Sequence, residues 1–392
     1  MLFSSIFFLI NLKEFLHITD IHLDLSYTTH SPTNCLLGNT GLRCCHKYDI
    51  PRYPNKPAGK WGDTNCDVPS ILLNDTLGWI SNNYPHLDFI LYSGDSVGHH
   101  DIDQSVDKNI ETMQYVTDIF NYHFKDTLVI PNQGNHDTYP IDQTIPLLEE
   151  RIRKRLASNW ETLLDKNISN TFIEKGYFKL DNIPISNQDN NITIISINSL
   201  EYDSHNVFRT SEKDKIDWLN KTLYEERMKG NKVFILGHIF PTGGESTPIY
   251  NKYVLEYLEM YNDIIVGSFF GHSHHDEFKI KDKINPILVT PSLMPDNRDP
   301  CFRIYQYTTI LLDYKQYCID LDTTNTLNTL QVYLDYSFQK EYGLANITYD
   351  SYKLLLNQLK KNTTLALIYC KHYFNKKCNI SQVNSLISNI EI

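Results

Sequence analysis

Short apolar runs recur along the chain, and most stop abruptly at Gly, Asp, Asn or His. Residues 15–18 (FLHI) run into Thr19-Asp20-Ile21-His22, and 87–92 (LDFILY) into Ser93-Gly94-Asp95. Residues 128–131 (LVIP) lead to Gly134-Asn135-His136-Asp137. Further on, 192–197 (ITIISI) ends in Asn198-Ser199, 233–236 in Gly237-His238, and 264–270 in Gly271-His272-Ser273-His274. Apolar runs of this length closed by turn formers predict buried strands, and two more are predicted over 286–289 and 302–307. Between them, apolar residues at helical spacing predict helices over 71–79, 109–124, 145–164, 213–229 and 253–261. Strands alternating with helices predict an α/β class, with helices covering sheets. From about residue 308 the texture changes to Tyr, Asn, Thr and Leu. A helix over 351–361 and a smaller, mostly helical C-terminal region over 311–392 are predicted there.

Residues 24–67 lack either periodicity and are rich in Pro, Gly, Asn and Cys, which predicts a long loop stapled by disulfides. Cys44 and Cys45 are adjacent and cannot easily pair with each other, so Cys35 and Cys66 are their natural partners. The favoured pairing is Cys35–Cys44 and Cys45–Cys66. The chain has eight cysteines but no Cys-x-x-Cys, which argues against a zinc ribbon. Asn-x-Ser/Thr sequons start at Asn74, Asn167, Asn191, Asn220, Asn346, Asn362 and Asn379. Together with paired cysteines they favour an oxidising, secretory compartment. Residues 1–12 (MLFSSIFFLINL) form an apolar stretch ahead of Lys13-Glu14. Residues 1–13 are therefore read as a signal peptide, the alternative being a first core strand. No later stretch is apolar for the length a membrane helix needs, so no transmembrane segment is expected.

The 392 residues suffice for two domains, or for one large domain with an appendage. The net charge of -11 argues against nucleic acid as a partner, because nucleic-acid binders carry a basic patch or stripe.

Five strand ends carry side chains that bind metals: Asp20 and His22, Asp95, Asn135 and His136, His238, and His272 and His274. In α/β folds ligands bind at the carboxyl edge of the strands, where these residues are predicted to lie. Singly each is ordinary, since Gly-Asp is a turn dipeptide and a lone His is more often a core or surface residue. Five in order, each directly after an apolar run, point to a shared site. Imidazole with carboxylate suits zinc, manganese or iron, whereas magnesium would be held mostly by oxygen. A pair of cations needs an anionic bridge, which an Asp supplies. A neutral Asn binds through its carbonyl oxygen and leaves the site positive enough for phosphate. Two metals about 3.5–4 Å apart clamp a phosphoryl group and lower the pKa of water.

Asp20-x-His22, Gly94-Asp95, Gly134-Asn135-His136-Asp137, Gly237-His238 and Gly271-His272-x-His274, in this order, resemble the calcineurin-like metallophosphoesterases. Further segments resemble the acid sphingomyelinase-like phosphodiesterases. They are Cys44-Cys45, Trp61-Gly62-Asp63 with Cys66-Asp67-x-Pro69, Gly94-Asp95-Ser96-x-x-His99, and Pro140-x-Asp142-Gln143 after Gly134-Asn135-His136-Asp137. His275-Asp276, the 302–307 strand (FRIYQY) and an Asp313-Tyr314-x-Gln316-Tyr317 turn also fit. The likeness spans about residues 15–320.

The resemblance implies a four-layer α-β-β-α sandwich, with a catalytic domain over 14–310. It implies two Zn2+ ions, with Mn2+ or Fe as alternatives. Asp20, His22 and His274 would hold one, Asn135, His238 and His272 the other, and Asp95 would bridge them. His136 would face the phosphate, stabilising charge or protonating the leaving group, and His99 is the second candidate for that proton. Asp137 is expected to orient or cap, and His275 to lie outside the ligand set. The Cys-rich C-terminus of that family is reduced here to Cys370 and Cys378, read as a local disulfide, and Cys301 with Cys318 is taken as a further pair with no support from the likeness.

The implied activity is phosphodiester hydrolysis by metal-activated water, on sphingomyelin (to ceramide and phosphocholine) or on a nucleotide-type substrate. An endopolyphosphatase of the same superfamily is the alternative. A catalytically inactive secreted binding protein is a second, which the intact ligand set disfavours. The expected setting is secreted or lysosomal, as a monomer with possible membrane-surface contact. True acid sphingomyelinases also carry a six-cysteine lipid-presenting domain. None is expected before residue 15, which weighs against lysosomal sphingomyelin hydrolysis unless the substrate is already accessible.

Overall fold

The computed structural model describes residues 13–36, 38, 42–99, 104–166, 170–183, 192–210, 213–242, 244–376 and 378–392. The expected signal peptide lies outside them, apart from Lys13, which opens the first strand. In chain order the strands are β1 (Lys13–Ile18), β2 (Phe89–Tyr92), β3 (Leu128–Pro131), β4 (Phe178–Ile183), β5 (Ile192–Ser196) and β6 (Lys232–Leu236). They continue as β7 (Ile265–Phe270), β8 (Glu277–Lys279), β9 (Ile287–Val289), β10 (Cys301–Tyr307), β11 (Leu311–Ile319) and β12 (Val332–Ser337). They form two six-stranded sheets, ordered β12-β11-β10-β1-β2-β3 and β4-β5-β6-β7-β9-β8. The helices are α1 (Ser70–Asn83), α2 (Val106–His123), α3 (Pro146–Leu164), α4 (Asn170–Lys175), α5 (Lys213–Lys229), α6 (Pro248–Met260) and α7 (Leu321–Leu327). Four more, α8 (Phe338–Tyr342), α9 (Tyr349–Leu359), α10 (Thr363–Phe374) and α11 (Ile380–Ser388), follow β12.

The period-two alternation of strand side chains makes the layers. Phe15, Phe89, Tyr305 and Tyr307 of the first sheet point inward. They meet Phe234 and Phe269 of the second, with ring centroids 5.2–5.8 Å apart for the Phe15–Phe234, Phe15–Phe269, Phe89–Phe234, Tyr307–Phe234 and Tyr305–Phe269 pairs. On the opposite parity, Tyr92 meets Phe120 of α2 at 5.4 Å, and Phe302 meets Trp79 of α1 at 6.1 Å. The other face of the second sheet forms a separate core with Leu219 and Leu223 of α5 and Val254 and Leu258 of α6. The result is the expected α-β-β-α sandwich. Because the inner strands are buried on both faces, they read as unbroken apolar runs rather than alternating ones.

The expected boundary at 310 falls inside a hairpin. β10 pairs antiparallel with β11, Cys301 opposite Cys318, and β11 pairs with β12. The first sheet therefore runs to Ser337, and the expected Asp313–Tyr317 turn is the middle of β11. β11, one in from the edge, and the edge strand β12 mix Tyr, Asp, Lys and Gln with apolar residues, so the continuous-run criterion that found the inner strands passes over them. The short strands β4 and β8, both at sheet edges, were missed for the same reason. The disulfides are Cys35–Cys44, Cys45–Cys66, Cys301–Cys318 and Cys370–Cys378.

Candidate metal centre

β1, β2 and β3 run parallel, as do β5, β6, β7 and β9, so the loops that follow them open at shared edges. The loops are laced together by backbone hydrogen bonds. Asp20 N–H donates to the Gly94 carbonyl (3.0 Å), His22 N–H to Asp95 (2.9 Å), and Gly271 N–H to His238 (3.1 Å). Five side chains that bear potential ligands sit on left-handed backbone: Asp20 (φ 49°), His22 (46°), Asp95 (59°), His272 (73°) and His274 (61°). Each such residue costs about 1–3 kcal/mol, and their concentration at one edge marks a site that is held in place by the rest of the fold. The glycines beside them are there for close approach. A Cβ at Gly134 would lie 2.0 Å from Asp95 Oδ1, and one at Gly271 would lie 2.1 Å from Thr19 Oγ1.

The seven expected ligands come together in two groups that share Asp95. In the first, His22 Nε2 is 3.0 Å from His274 Nε2 and 4.0 Å from Asp20 Oδ1, and His274 Nε2 is 3.6 Å from Asp20 Oδ1. In the second, Asn135 Oδ1 is 2.7 Å from His238 Nε2 and 2.9 Å from His272 Nδ1. Asp95 Oδ2 is 3.4 Å from His22 Nε2 and 3.3 Å from His238 Nε2.

Partners on the far side of each group set which atom faces inward. His22 Nδ1–H donates to the Val97 carbonyl (2.8 Å) and His238 Nδ1–H to the Ser93 carbonyl (2.8 Å), so Nε2 is the inward atom of both. Glu245 Oε2 takes His272 Nε2 at 2.7 Å, leaving Nδ1 inward. Asn135 Nδ2 donates to Asp142 Oδ1 at 2.8 Å, which turns the amide oxygen toward the histidines.

The electrostatics show what this arrangement lacks. Burial raises the Asp20 carboxyl to about 6. Burial opposes ionisation of Asp95 too, but neighbouring histidines, the charge of His238 foremost, outweigh it and hold its pKa well below the usual range. Burial, then the charge of His99, keeps His22 well below its ordinary pKa and hence neutral, with a bare Nε2 lone pair facing carboxylate oxygens. His274 is likewise lowered by burial and by His99. For His238, the charge of Asp95 overcomes burial and raises the pKa to about 10. A proton on His238 thus holds apart the oxygens of Asn135 and Asp95. Electron-rich N and O atoms converging with so little positive charge fit divalent cations, and the mixed imidazole–carboxylate set fits zinc, manganese or iron.

Three further groups complete the edge. The His99 ring lies 4.2 Å from that of His22 and 4.3 Å from that of His136, between centroids. Asp67 holds it through Nδ1 (2.8 Å) and the backbone N–H (2.6 Å). Burial lowers the His99 pKa, but the charge and hydrogen bond of Asp67 prevail and raise it. His136 donates its backbone N–H to Asp95 Oδ1 (2.8 Å), while its ring Nδ1 is buried without a partner. Burial and the charge of His99 bring its pKa to about 3, so its ring is neutral. Asp137 accepts the backbone N–H groups of Gly134 and Asp95 on one oxygen and those of Ser96 and Val97 on the other. It ties the loop after β2 to the loop after β3, an orienting role. His275 stacks on Tyr373 at 4.2 Å, outside both groups.

The roles of Asp67, Asp142 and Glu245 were not read from the sequence. Asp67 and Asp142 stood in recognised motifs, which was the available signal. Glu245 lies in a loop with no pattern around it.

A profile of the calcineurin-like phosphoesterase family matches residues 13–276. The chain is 28% identical over 389 residues to a Rattus norvegicus protein named cyclic GMP-AMP phosphodiesterase SMPDL3A, with 92% of this chain and 84% of that one covered. It is 26% identical over 372 residues to sphingomyelin phosphodiesterase A of Dictyostelium discoideum, with 90% and 61% covered. It is 26% identical over 375 residues to human acid sphingomyelinase-like phosphodiesterase 3b, with 88% and 79% covered. The profile match takes in more than half of the chain and every strand end that carries a converging side chain, and the chain accordingly belongs to the calcineurin-like phosphoesterases.

Proposed function

We propose that the protein is a dinuclear zinc phosphodiesterase that cleaves a small phosphodiester, lipid or nucleotide, in a secreted or lysosomal setting. The observation that carries this reading is the sharing of Asp95 between two groups of inward-facing N and O atoms. Asp20, His22 and His274 would hold one ion, and Asn135, His238 and His272 the other, with Asp95 common to both. Such ions, when bound, neutralise phosphoryl oxygens and make water a better nucleophile. The chain's own groups do the rest. Asp137 and the His136 backbone N–H hold Asp95 in place. The neutral His136 ring faces the phosphoryl group as a hydrogen-bond donor. His99 has Nδ1 engaged by Asp67, so its Nε2 is the atom that delivers a proton to the departing oxygen. The products are a phosphomonoester and an alcohol.

Two relatives are named for cyclic GMP-AMP and for sphingomyelin, which supports a diester over a polyphosphate chain. The four disulfides support an oxidising compartment. A substrate panel tests the proposal: sphingomyelin, bis-nitrophenyl phosphate, a cyclic dinucleotide and polyphosphate, with zinc-loaded protein at acid and neutral pH. Turnover of diesters with polyphosphate untouched is the expected result. Absence of diester turnover, or absence of bound transition metal in the purified protein, overturns it.

A further inference from the structure

The segment between β1 and α1 builds a projection that the metal centre does not use. Two stretches pair antiparallel there, Cys35 opposite Pro51 and Pro32 opposite Pro57. Leu36 N–H donates to the Ile50 carbonyl (3.0 Å), and Arg52 N–H to the Asn34 carbonyl (2.9 Å). Cys35–Cys44 and Cys45–Cys66 lock the projection around a small core of the four cysteines and Ala58. Tyr53 is 86% exposed, Tyr48 85%, Ile50 63% and Leu36 53%. With Cys35 turned into the core, its neighbours Leu36 and Ile50 fall on the outer side of the ladder, and Tyr48 and Tyr53 are exposed on the chain either side of Ile50, so the four are neighbours rather than apolar side chains scattered singly.

Charge selects the partner. The chain carries -11 overall, yet this face presents Lys47, with Nζ 5.3 Å over the Tyr48 ring, and Arg52. The acid within the stretch, Asp49, turns inward and accepts the His46 backbone N–H at 2.8 Å. Tyrosines, an aliphatic tip and flanking cations make up the composition that a bilayer interface favours, the rings lying at headgroup level and the cations meeting anionic lipid. The patch is also coupled to the catalytic edge. His46 Nε2 bonds Asp24 Oδ2 (2.9 Å), two residues from His22, and Cys66 immediately precedes Asp67, which holds His99.

We propose that Leu36, Tyr48, Ile50 and Tyr53, with Lys47 and Arg52, form a docking surface for a lipid bilayer bearing anionic headgroups. The surface deepens the phosphodiesterase reading, since it would bring the metal edge to a lipid surface, and it is tested separately from turnover. The full chain is cosedimented with phosphatidylcholine vesicles containing about one-third phosphatidylserine at physiological ionic strength. Binding to these vesicles is expected, and the triple variant Tyr48→Ser/Ile50→Ser/Tyr53→Ser should bind at least about tenfold more weakly. The charge variant Lys47→Glu/Arg52→Glu should also weaken binding, by more than about fivefold per cation removed. Both variants should hydrolyse soluble bis-nitrophenyl phosphate as the parent does, since none of these side chains touches the centre. Equal vesicle binding by parent and triple variant, or no binding by the parent, overturns the proposal. So does sedimentation velocity showing that the triple substitution turns a dimer into a monomer, which would make the patch a contact between copies. Loss of soluble turnover in the parent would instead overturn the phosphodiesterase reading and leave vesicle binding unaffected.

Discussion

Replacing Asn135 by Asp changes one atom of the site and tests how the amide is turned. Asn135 Nδ2 donates to Asp142 Oδ1 at 2.8 Å, and its Oδ1 faces His238 and His272. In Asn135→Asp a second carboxylate oxygen would stand where the donor was. Two unit charges at that separation repel by about 6 kcal/mol at an effective dielectric of about 20. The protein has a cheaper response, which is to protonate one carboxyl. For a group of ordinary pKa near 4 that costs about 4 kcal/mol at neutral pH. Asp142 is half-buried, and solvent screening, with the attraction of the new carboxylate to the protonated His238 at 2.7 Å, brings the expected loss to about 2–3 kcal/mol. The assay is denaturant unfolding of the metal-free protein at neutral pH. The second substitution, Asp142→Asn, should restore most of the loss when combined with the first, because donor and acceptor are exchanged and the net charge returns to that of the parent. A double-mutant cycle should therefore show a favourable coupling of about 2–3 kcal/mol. A loss below about 0.5 kcal/mol for Asn135→Asp, with no coupling, would refute the reasoning. The amide oxygen would then not be held toward the histidines, and Asn135 would lose its place as a neutral ligand.

Asp95→Asn should remove the common carboxylate, so that metal analysis finds both ions lost and turnover abolished; near-parental activity would disprove its shared position. His136→Ala should keep the metal content while kcat falls by about 10²–10⁴; loss of zinc instead would make His136 a ligand. Asp67→Asn should lower kcat by about ten- to a hundredfold with little change in KM. Because Asp67 raises the His99 pKa, the alkaline limb of the kcat–pH profile should also move to lower pH, and an unmoved limb would remove His99 from proton delivery. The Glu226 carboxylate is disfavoured by burial, but Lys229, Asn231, Lys179 and Thr193 bring its pKa to about 2, below its ordinary 4.5. Its stabilisation is therefore complete above about pH 4.5 and lost as pH falls toward 2. Glu226→Gln should cost about 1–3 kcal/mol of unfolding free energy at neutral pH and progressively less below pH 4.5.

Residue order along the chain was enough to single out the edge where the candidate ligands converge. An inner strand of a covered sheet must be apolar on both faces, so a sudden Gly-Asp or Gly-His at its end is visible without any contact information. The side chains of Asp20, His22, Asp95, Asn135, His238, His272 and His274 stand at such strand ends and converge in the fold, and the favoured pairing of Cys35, Cys44, Cys45 and Cys66 is the one observed. The strands beyond β10 carry no such signature. β11, one in from the edge, and the edge strand β12 mix Tyr, Lys, Gln and Asp with apolar residues, and so the sheet's extension past 310 is hidden. The second ring of partners was hidden for another reason. Asp67 lies 32 residues from His99. Glu245 meets His272 through an unpatterned loop, and the two histidines that grip Asp95 come from different sheets. Local composition says what a strand end can bind. Which nitrogen of each imidazole faces the centre, which oxygen of Asn135 is presented, and which histidine carries the proton depend on groups brought within 3 Å by chain crossings, and only the packed tertiary structure sets those.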